Sequence, residues 1–175
     1  NAAGVVFVAA AGNGCDPTTC DWIGDNNDVL PAYPASYDLD GIISVANTDH
    51  NDNRATSSNF GLVSVDLGAP GSSILSTVPT WVNGSGYDYK SGTSMAAPQV
   101  TGAVALLRGL RPSLTVQQTK DAILGTVDPI AALNGITVTG GRMNLAAAVT
   151  EVAGNVVVSA RESLTGNLND DGTGD

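Results

Sequence analysis

The segment Lys90–Leu107 constrains the fold of this chain more than any other part of it. Gly92 permits a tight turn, and the residues after it are small or apolar at helical spacing. This pattern predicts a slender, buried helix over Thr93–Leu110 that ends before Arg111-Pro112, because proline cannot continue a helix. Ser94 then lies at the helix start, where unpaired backbone N–H groups favour nucleophilic attack on a carbonyl. A helix-capping serine is the alternative interpretation.

A second constraint is the continuous apolar run Gly4–Ala11, which has the length of a strand. Apolar residues without alternation are typical of a strand that is covered on both faces, as in a parallel sheet. Gly12, Asn13 and Gly14 end this run, so we expect Asn13 at the carboxyl edge of the sheet, where ligands bind in open parallel sheets. An asparagine amide can donate a hydrogen bond to an oxyanion there, and a simple turn residue is the alternative.

The remaining elements follow from similar patterns. Strands are predicted at Gly41–Ala46, Val63–Leu67 and Ile74–Ser76, a hairpin turn at Asn83-Gly84, helices at Val116–Gly125 and Leu145–Val152, and a last strand at Asn155–Ser159. Ser113 or Thr115 can cap the helix that begins at Val116.

Gly92–Pro98 resembles the nucleophile motif of the subtilisin-like serine proteases (subtilases, peptidase family S8), with Ser94 as the attacking serine. Asn13 resembles the asparagine of their oxyanion hole. Three further blocks stand in the order of the family: Tyr33–Ala35, which the family tends to build around a cis peptide, Ala69–Gly71 and Gly141–Leu145. The resemblance covers about residues 1–150, and it departs from the family at Gln99, where a histidine is usual.

The resemblance implies an α/β fold, a subtilisin-like three-layer sandwich with a parallel sheet, of which this chain is the C-terminal half. It divides the chain into residues 1–152, a portion of the catalytic domain, and residues 153–175, an extra strand and an acidic tail. Ser94 and Asn13 would be the catalytic residues. A small, uncharged wall of the substrate site would be formed by Ala10, Ala11 and Gly12.

A subtilisin-like enzyme needs an aspartate and a histidine besides its serine. The family carries both before the serine, so we expect them upstream of residue 1 and absent from this chain. His50, the single histidine, lies in a polar turn where we expect a solvated role, and we do not expect Lys90 to replace the base.

The interpretation is therefore the nucleophile-bearing part of a secreted serine endopeptidase that cleaves peptide bonds through an acyl-enzyme and is weak or inactive alone. Two alternatives stay open. One is a self-associating hydrolase of small esters, and the other is a non-catalytic remnant that binds peptides.

The charge of the chain restricts its partners. A net charge of −10 disfavours nucleic acid as a partner, because binding to phosphates needs clustered lysine and arginine. The sequence contains no run of 18 apolar residues, so we expect no membrane span. We expect no required cofactor, and a peptide or a small ester as substrate. A parallel sheet cut through its middle exposes a strand edge, so we also expect a second copy of the chain, or a chain that supplies the missing N-terminal half, to cover it.

Two polar segments bear on cellular setting and on metal ions. Cys15 and Cys20, the only cysteines, predict a local disulfide and an extracellular location, with two free thiols as the alternative. Oxygen-bearing residues alternate around Gly172 as in an EF-hand-type loop, so calcium is a possible structural ion there, with a disordered acidic tail as the alternative. The candidate ligands are Asn167, Asn169, Asp171 and Asp175. For Asp25–Asp28 a solvated acidic loop is favoured over a cation site.

Overall fold

The structure, a computed structural model, describes residues 4–14 and 22–154. In chain order its elements are β1 (Phe7–Ala10), β2 (Ile42–Thr48), β3 (Leu67–Pro70), β4 (Ile74–Thr77), α1 (Thr80–Asn83), β5 (Tyr87–Lys90), α2 (Thr93–Leu110), α3 (Val116–Leu124), β6 (Asp128–Pro129), β7 (Gly141–Arg142) and α4 (residues 145–154). Three expectations lie outside the described residues: the Cys15–Cys20 disulfide, the strand at Asn155–Ser159 and the calcium-binding tail.

The strands form a five-stranded sheet in the order β1-β2-β3-β7-β6 and a separate antiparallel pair of β4 and β5. In the larger sheet β1, β2, β3 and β7 are parallel, and β6 runs antiparallel to β7. The register pairs Ala10 with Val45 and Thr48 with Pro70. The turn that contains Asn13 therefore follows the carboxyl end of β1, as predicted.

The side chains of β2 alternate between the two faces of the sheet, as the pleat of a strand requires. Ile43 and Val45 pack into the main hydrophobic core together with residues of α2, α3 and α4. Ile42 lies in a smaller cluster with Ala9 and Ala35. The three long helices thus share one side of the sheet. The chain therefore has an α/β fold, with helices packed on one side of a mostly parallel sheet.

Helix α2 has the predicted bounds, but the expectation of a buried helix holds for one face only. The side chains on its buried face are small near the helix start and larger toward its end. These buried residues are Thr93, Ala96, Ala97, Val100, Ala103, Val104 and Leu107. Gly102 is exposed, and Leu106 and Leu110 are 44% and 49% exposed, because no element in the described ranges covers the outer face. The small residues therefore permit close packing on one side only.

The predicted strand at Val63–Leu67 is also wrong, because the chain turns before β3 begins. The carboxylate of Asp28 accepts hydrogen bonds from the backbone N–H groups of Val63 (3.2 Å) and Ser64 (2.9 Å) and from the Ser64 hydroxyl (2.7 Å). A distant side chain thus captures backbone donors that a strand would need for its own pairing.

The sequence predicted a hairpin turn at Asn83-Gly84. In the structure these residues end the short helix α1 and do not form a two-residue hairpin loop. Gly84 has a φ of 77°, and its N–H donates to the carbonyl of Thr80 at 2.7 Å. This left-handed conformation favours glycine and ends the helical turn. Strands β4 and β5 pair in an antiparallel manner across this longer connection.

The block Gly141–Leu145 joins β7 to two neighbouring segments. Arg142 lies 2.5 Å from Asp52 and 2.7 Å from Asp128. Asn144 donates to Asp128 at 2.8 Å and accepts from the N–H of Ala147 at 2.9 Å, which caps α4. The hydrogen bond from Asn144 and the pairing with Arg142 lower the pKa of Asp128. The carboxylate therefore stays ionised while it fixes the position of α4.

Strand β1 is the edge strand of the described sheet, and apolar residues are exposed beside it. Val5, Phe7 and Leu39 are 53%, 50% and 61% exposed. They line a cavity of about 490 Å³ together with Pro34 and Ile42. The prediction that this strand is covered on both faces is thus wrong for the described residues. No helix within those ranges is long and apolar enough to cross a membrane.

Candidate active site

The candidate site forms where the turn after β1 meets the start of α2. The side-chain oxygen Oδ1 of Asn13 accepts hydrogen bonds from the backbone N–H of Thr93 at 2.8 Å and from the Thr93 hydroxyl at 3.2 Å. The N–H of Gly12 donates to the same hydroxyl oxygen at 3.3 Å. Because a backbone N–H can only donate, its partner on Asn13 must be the amide oxygen. The amide nitrogen Nδ2 then faces away, and it has no acceptor among residues 4–14 and 22–154.

Two glycines of the family motifs allow this close approach. Gly92 has a φ of 151°, a conformation that side-chain-bearing residues rarely adopt, and a Cβ there would lie 3.3 Å from both polar atoms of the Asn13 amide. Gly71 accepts a hydrogen bond from the N–H of Gly92 at 2.9 Å. A Cβ on Gly71 would lie 2.7 Å from the carbonyl oxygen of Gly92. Both positions therefore require glycine to bring the helix start against the turn.

Ser94 is the second residue of α2, directly after the residue that holds Asn13. Its side chain is exposed, and its hydroxyl makes no hydrogen bond within the described residues. The N–H groups of Met95 and Ala96 both donate to the carbonyl of Gly92, at 2.9 and 3.3 Å. The N–H of Ser94 finds no acceptor in the same part of the chain. The helix start thus presents a free hydroxyl and a free N–H beside the turn of Asn13.

A cavity of about 380 Å³ lies next to Asn13. It is lined by Asn13, Gly14, Asp25, Leu30, Pro31, Ala32 and Asn59. The residues of the predicted substrate wall do not line this cavity: the side chain of Ala11 is completely buried, while Ala10 and Gly12 are half-buried. The Tyr33-Pro34 peptide, which follows the segment that lines the cavity, is cis, as the resemblance implies.

The other residues considered from the sequence have partners of their own. His50 is exposed and contacts the Asn51 side chain at 3.2 Å. Lys90 lies 2.8 Å from Asp88, and this hydrogen bond lowers the pKa of Asp88. The Lys90 ammonium is therefore engaged with Asp88.

In the acidic loop at residues 25–28, the expectation of solvated side chains is wrong for Asn27, whereas Asp28 is exposed. Asn27 is 1% exposed, and Asp28 holds the turn before β3. Across the described ranges no group of three or more histidine, cysteine, aspartate or glutamate side chains could hold a metal ion. The candidate calcium ligands of the tail lie outside those ranges.

Sequence reasoning missed three residues that shape the site. Thr93 fixes the orientation of Asn13, while Asn27 and Asn59 bond to the turn around it. Buried polar residues carry no periodic pattern, and Asn59 lies in a loop. Only a comparison of many homologous sequences would have singled these positions out.

Comparison with known proteins identifies relatives of this fold and sequence. Two solved structures share the fold. One is a chain of the subtilase cytotoxin SubAB assembly, with a TM-score of 0.73 and 23% identity, covering 90% of this chain and 52% of that one. The other is a protease from Pseudoalteromonas arctica, with a TM-score of 0.69 and 30% identity, covering 86% of this chain and 44% of that one. The first of these shows the fold alone. The fold is thus that of the subtilisin-like α/β proteins.

The subtilase family profile matches residues 1–166, and the chain belongs to this family. Thermitase from Thermoactinomyces vulgaris is 42% identical over 128 residues, which make up 70% of this chain and 39% of thermitase. Subtilisin DY from Bacillus licheniformis is 38% identical over 125 residues, 71% of this chain and 40% of that protein. The chain spans about two fifths of the length of these curated relatives.

Proposed function

We propose that this chain carries the nucleophile and two oxyanion donors of a secreted subtilisin-like serine endopeptidase. Ser94 is the nucleophile, and Nδ2 of Asn13 and the backbone N–H of Ser94 are the donors. The observation that carries the proposal is the bond from the Thr93 N–H to Oδ1 of Asn13. It turns the donor nitrogen of Asn13 outward at the helix start where the serine lies.

The chemistry proceeds in two halves. The oxygen Oγ of Ser94 attacks the carbonyl carbon of the substrate, its proton passes to a base, and the negative charge moves to the carbonyl oxygen, which the two N–H donors stabilise. The carbon–nitrogen bond then breaks, the proton passes to the leaving amine, and an acyl-serine ester remains. Water hydrolyses this ester by the same steps. Side chains of the substrate occupy the cavity beside Asn13 and the wall of Ala10 and Gly12.

The base and the aspartate that orients it come, in this proposal, from residues outside this chain. Within the described residues the Ser94 hydroxyl has no hydrogen-bond partner that could accept its proton. A serine without a base is a poor nucleophile. We therefore propose very low peptidase activity for the chain alone, with activated small esters as the substrates that it can still cleave. No cofactor is needed for either reaction, and calcium at the acidic tail would be structural.

Covalent labelling tests this proposal, with free imidazole in place of the missing base. We expect a fluorophosphonate probe to modify Ser94 at a rate that rises with imidazole concentration, as identified by peptide mass spectrometry. The Ser94→Ala variant should not be labelled, whereas Ser113→Ala, which removes another exposed serine, should leave labelling unchanged. Equal labelling of Ser94 and Ser113 in the native chain, or none at Ser94 at any imidazole concentration, would contradict the assignment.

The apolar surface beside β1 favours a partner. Val5, Phe7 and Leu39 are each at least half exposed beside β1, the edge strand of the described sheet, and contiguous apolar surface of this kind is typical of an interface. We propose that a segment supplying the N-terminal half of the fold covers it, or a second copy of the chain when that half is missing. Light scattering after size-exclusion chromatography should show self-association of the purified chain. A Phe7→Asp substitution should make it monomeric, and a native chain that is already monomeric and binds no hydrophobic dye would refute the interface.

A further inference from the structure

Two buried asparagine side chains lie under the turn of Asn13 and bond to each other. Asn27 and Asn59 are 1% and 4% exposed. Nδ2 of Asn59 donates to Oδ1 of Asn27 at 2.9 Å. The backbone N–H of Asn27 donates to the carbonyl of Phe60 at 2.7 Å, and Oδ1 of Asn59 accepts from the N–H of Asp25 at 3.0 Å. These bonds hold both side chains in fixed positions.

The pair binds the backbone on both sides of Asn13. Nδ2 of Asn27 donates to the carbonyl of Ala11 at 2.8 Å, two residues before Asn13. The backbone N–H of Asn59 donates to the carbonyl of Gly12 at 2.9 Å. Oδ1 of Asn59 accepts from the N–H of Gly14 at 2.7 Å. Three attachment points thus surround the residue that carries the proposed oxyanion donor.

The packing leaves no room for a side chain at Gly12, which lies against Asn59. Gly12 has a φ of 111°, and a Cβ there would lie 2.6 Å from Nδ2 of Asn59. A buried amide that loses its hydrogen-bond partners costs free energy. Displacing the turn would break its bonds to Asn27 and Asn59, so the observed position of the turn is favoured. Oxyanion stabilisation depends on donors that are held in place before the charge develops.

We infer that Asn27 and Asn59 are positioning residues, which hold the turn so that Nδ2 of Asn13 faces the oxyanion. This inference rests on the proposed role of Asn13. Asn27 does not line the cavity beside Asn13, and Asn59 borders it, but both side chains bond to the backbone of residues 11–14 and act through it. Their effect should therefore be visible in the Asn13–Thr93 contact itself, independently of any chemistry at Ser94.

The amide of Thr93 reports on this contact, because its N–H donates to Asn13. We expect Asn59→Asp, which keeps the accepting oxygen but removes the donor to Asn27, to accelerate hydrogen exchange at the Thr93 amide roughly tenfold or more. Asn27→Asp, which removes the donor to Ala11, should act in the same direction. Asn26→Asp is the matched control. It introduces the same charge one residue before Asn27, and it keeps the side-chain oxygen that accepts from the backbone N–H of Asp28. Exchange at the amide of Leu107, a fully buried residue of α2, monitors the global fold.

We expect faster exchange at Thr93 and unchanged exchange at Leu107 in both test variants, and slower imidazole-dependent labelling of Ser94. Unchanged exchange at Thr93 would overturn the inference. Equal acceleration at Thr93 and Leu107 in both variants would also overturn it, because the pair would then only stabilise the fold. If Ser94 of the native chain is not labelled, the proposed function fails, while the exchange data still decide whether the pair positions Asn13.

Discussion

Replacing Asn13 by leucine should slow the imidazole-dependent labelling of Ser94 roughly 10²–10³-fold, a magnitude taken from subtilisin itself, where removal of one oxyanion-hole donor lowers turnover by this factor. Leucine has a similar size but cannot donate a hydrogen bond. Asn13→Asp should be at least as slow, because its carboxylate opposes the developing negative charge, although it keeps an oxygen that can accept from Thr93. Labelling rates from intact-protein mass spectrometry give the comparison.

Circular dichroism should show that both Asn13 variants remain folded. Asn134→Leu makes the same substitution in an exposed loop and should label at the native rate. A folded Asn13→Leu variant that labels within about threefold of the native rate would mean that Asn13 does not stabilise the oxyanion.

Substituting alanine at Gly92 should damage both stability and the site. Its φ of 151° is strained for any residue with a Cβ, and such strain costs about 1–3 kcal/mol. The new Cβ would also press on the Asn13 amide. We expect the free energy of unfolding to fall by about this amount in urea titrations, and labelling of Ser94 to slow roughly 10²-fold because the donor is displaced.

Gly102→Ala provides a control of opposite sign on the same helix. A Cβ there meets no atom within 4 Å, so the variant should gain about 0.5–1 kcal/mol from the better helix propensity of alanine and label normally. If alanine at Gly92 is as well tolerated as alanine at Gly102, the helix start does not approach Asn13 as closely as described.

Local signals in the sequence were sufficient to predict the two elements that form the site. Gly92 and the small residues after it predicted the correct bounds of α2, and the glycines around Asn13 predicted the end of β1. Both predictions depend on residues that are close in sequence and on the glycine and proline positions that limit the backbone.

Contacts between distant residues could not be predicted in this way. Asn13 and Thr93 are 80 positions apart, and Asn27 and Asn59 are 32 apart, so no periodic pattern relates them. The alternation in Val63–Leu67 resembled a strand, but Asp28 takes up its backbone donors from 35 positions away. The exposed outer face of α2 was also not predicted. Apolar periodicity shows that a helix face is suited to burial, but it does not show which segment covers that face.

A crystal structure of the chain with a phosphonate bound covalently to Ser94 would show directly whether the oxyanion donors are placed as proposed. We expect one phosphonyl oxygen to lie within hydrogen-bond distance of both Nδ2 of Asn13 and the backbone N–H of Ser94. A phosphonyl group whose oxygens all point to solvent, with the Asn13 amide turned so that its nitrogen faces Thr93, would contradict the proposed site.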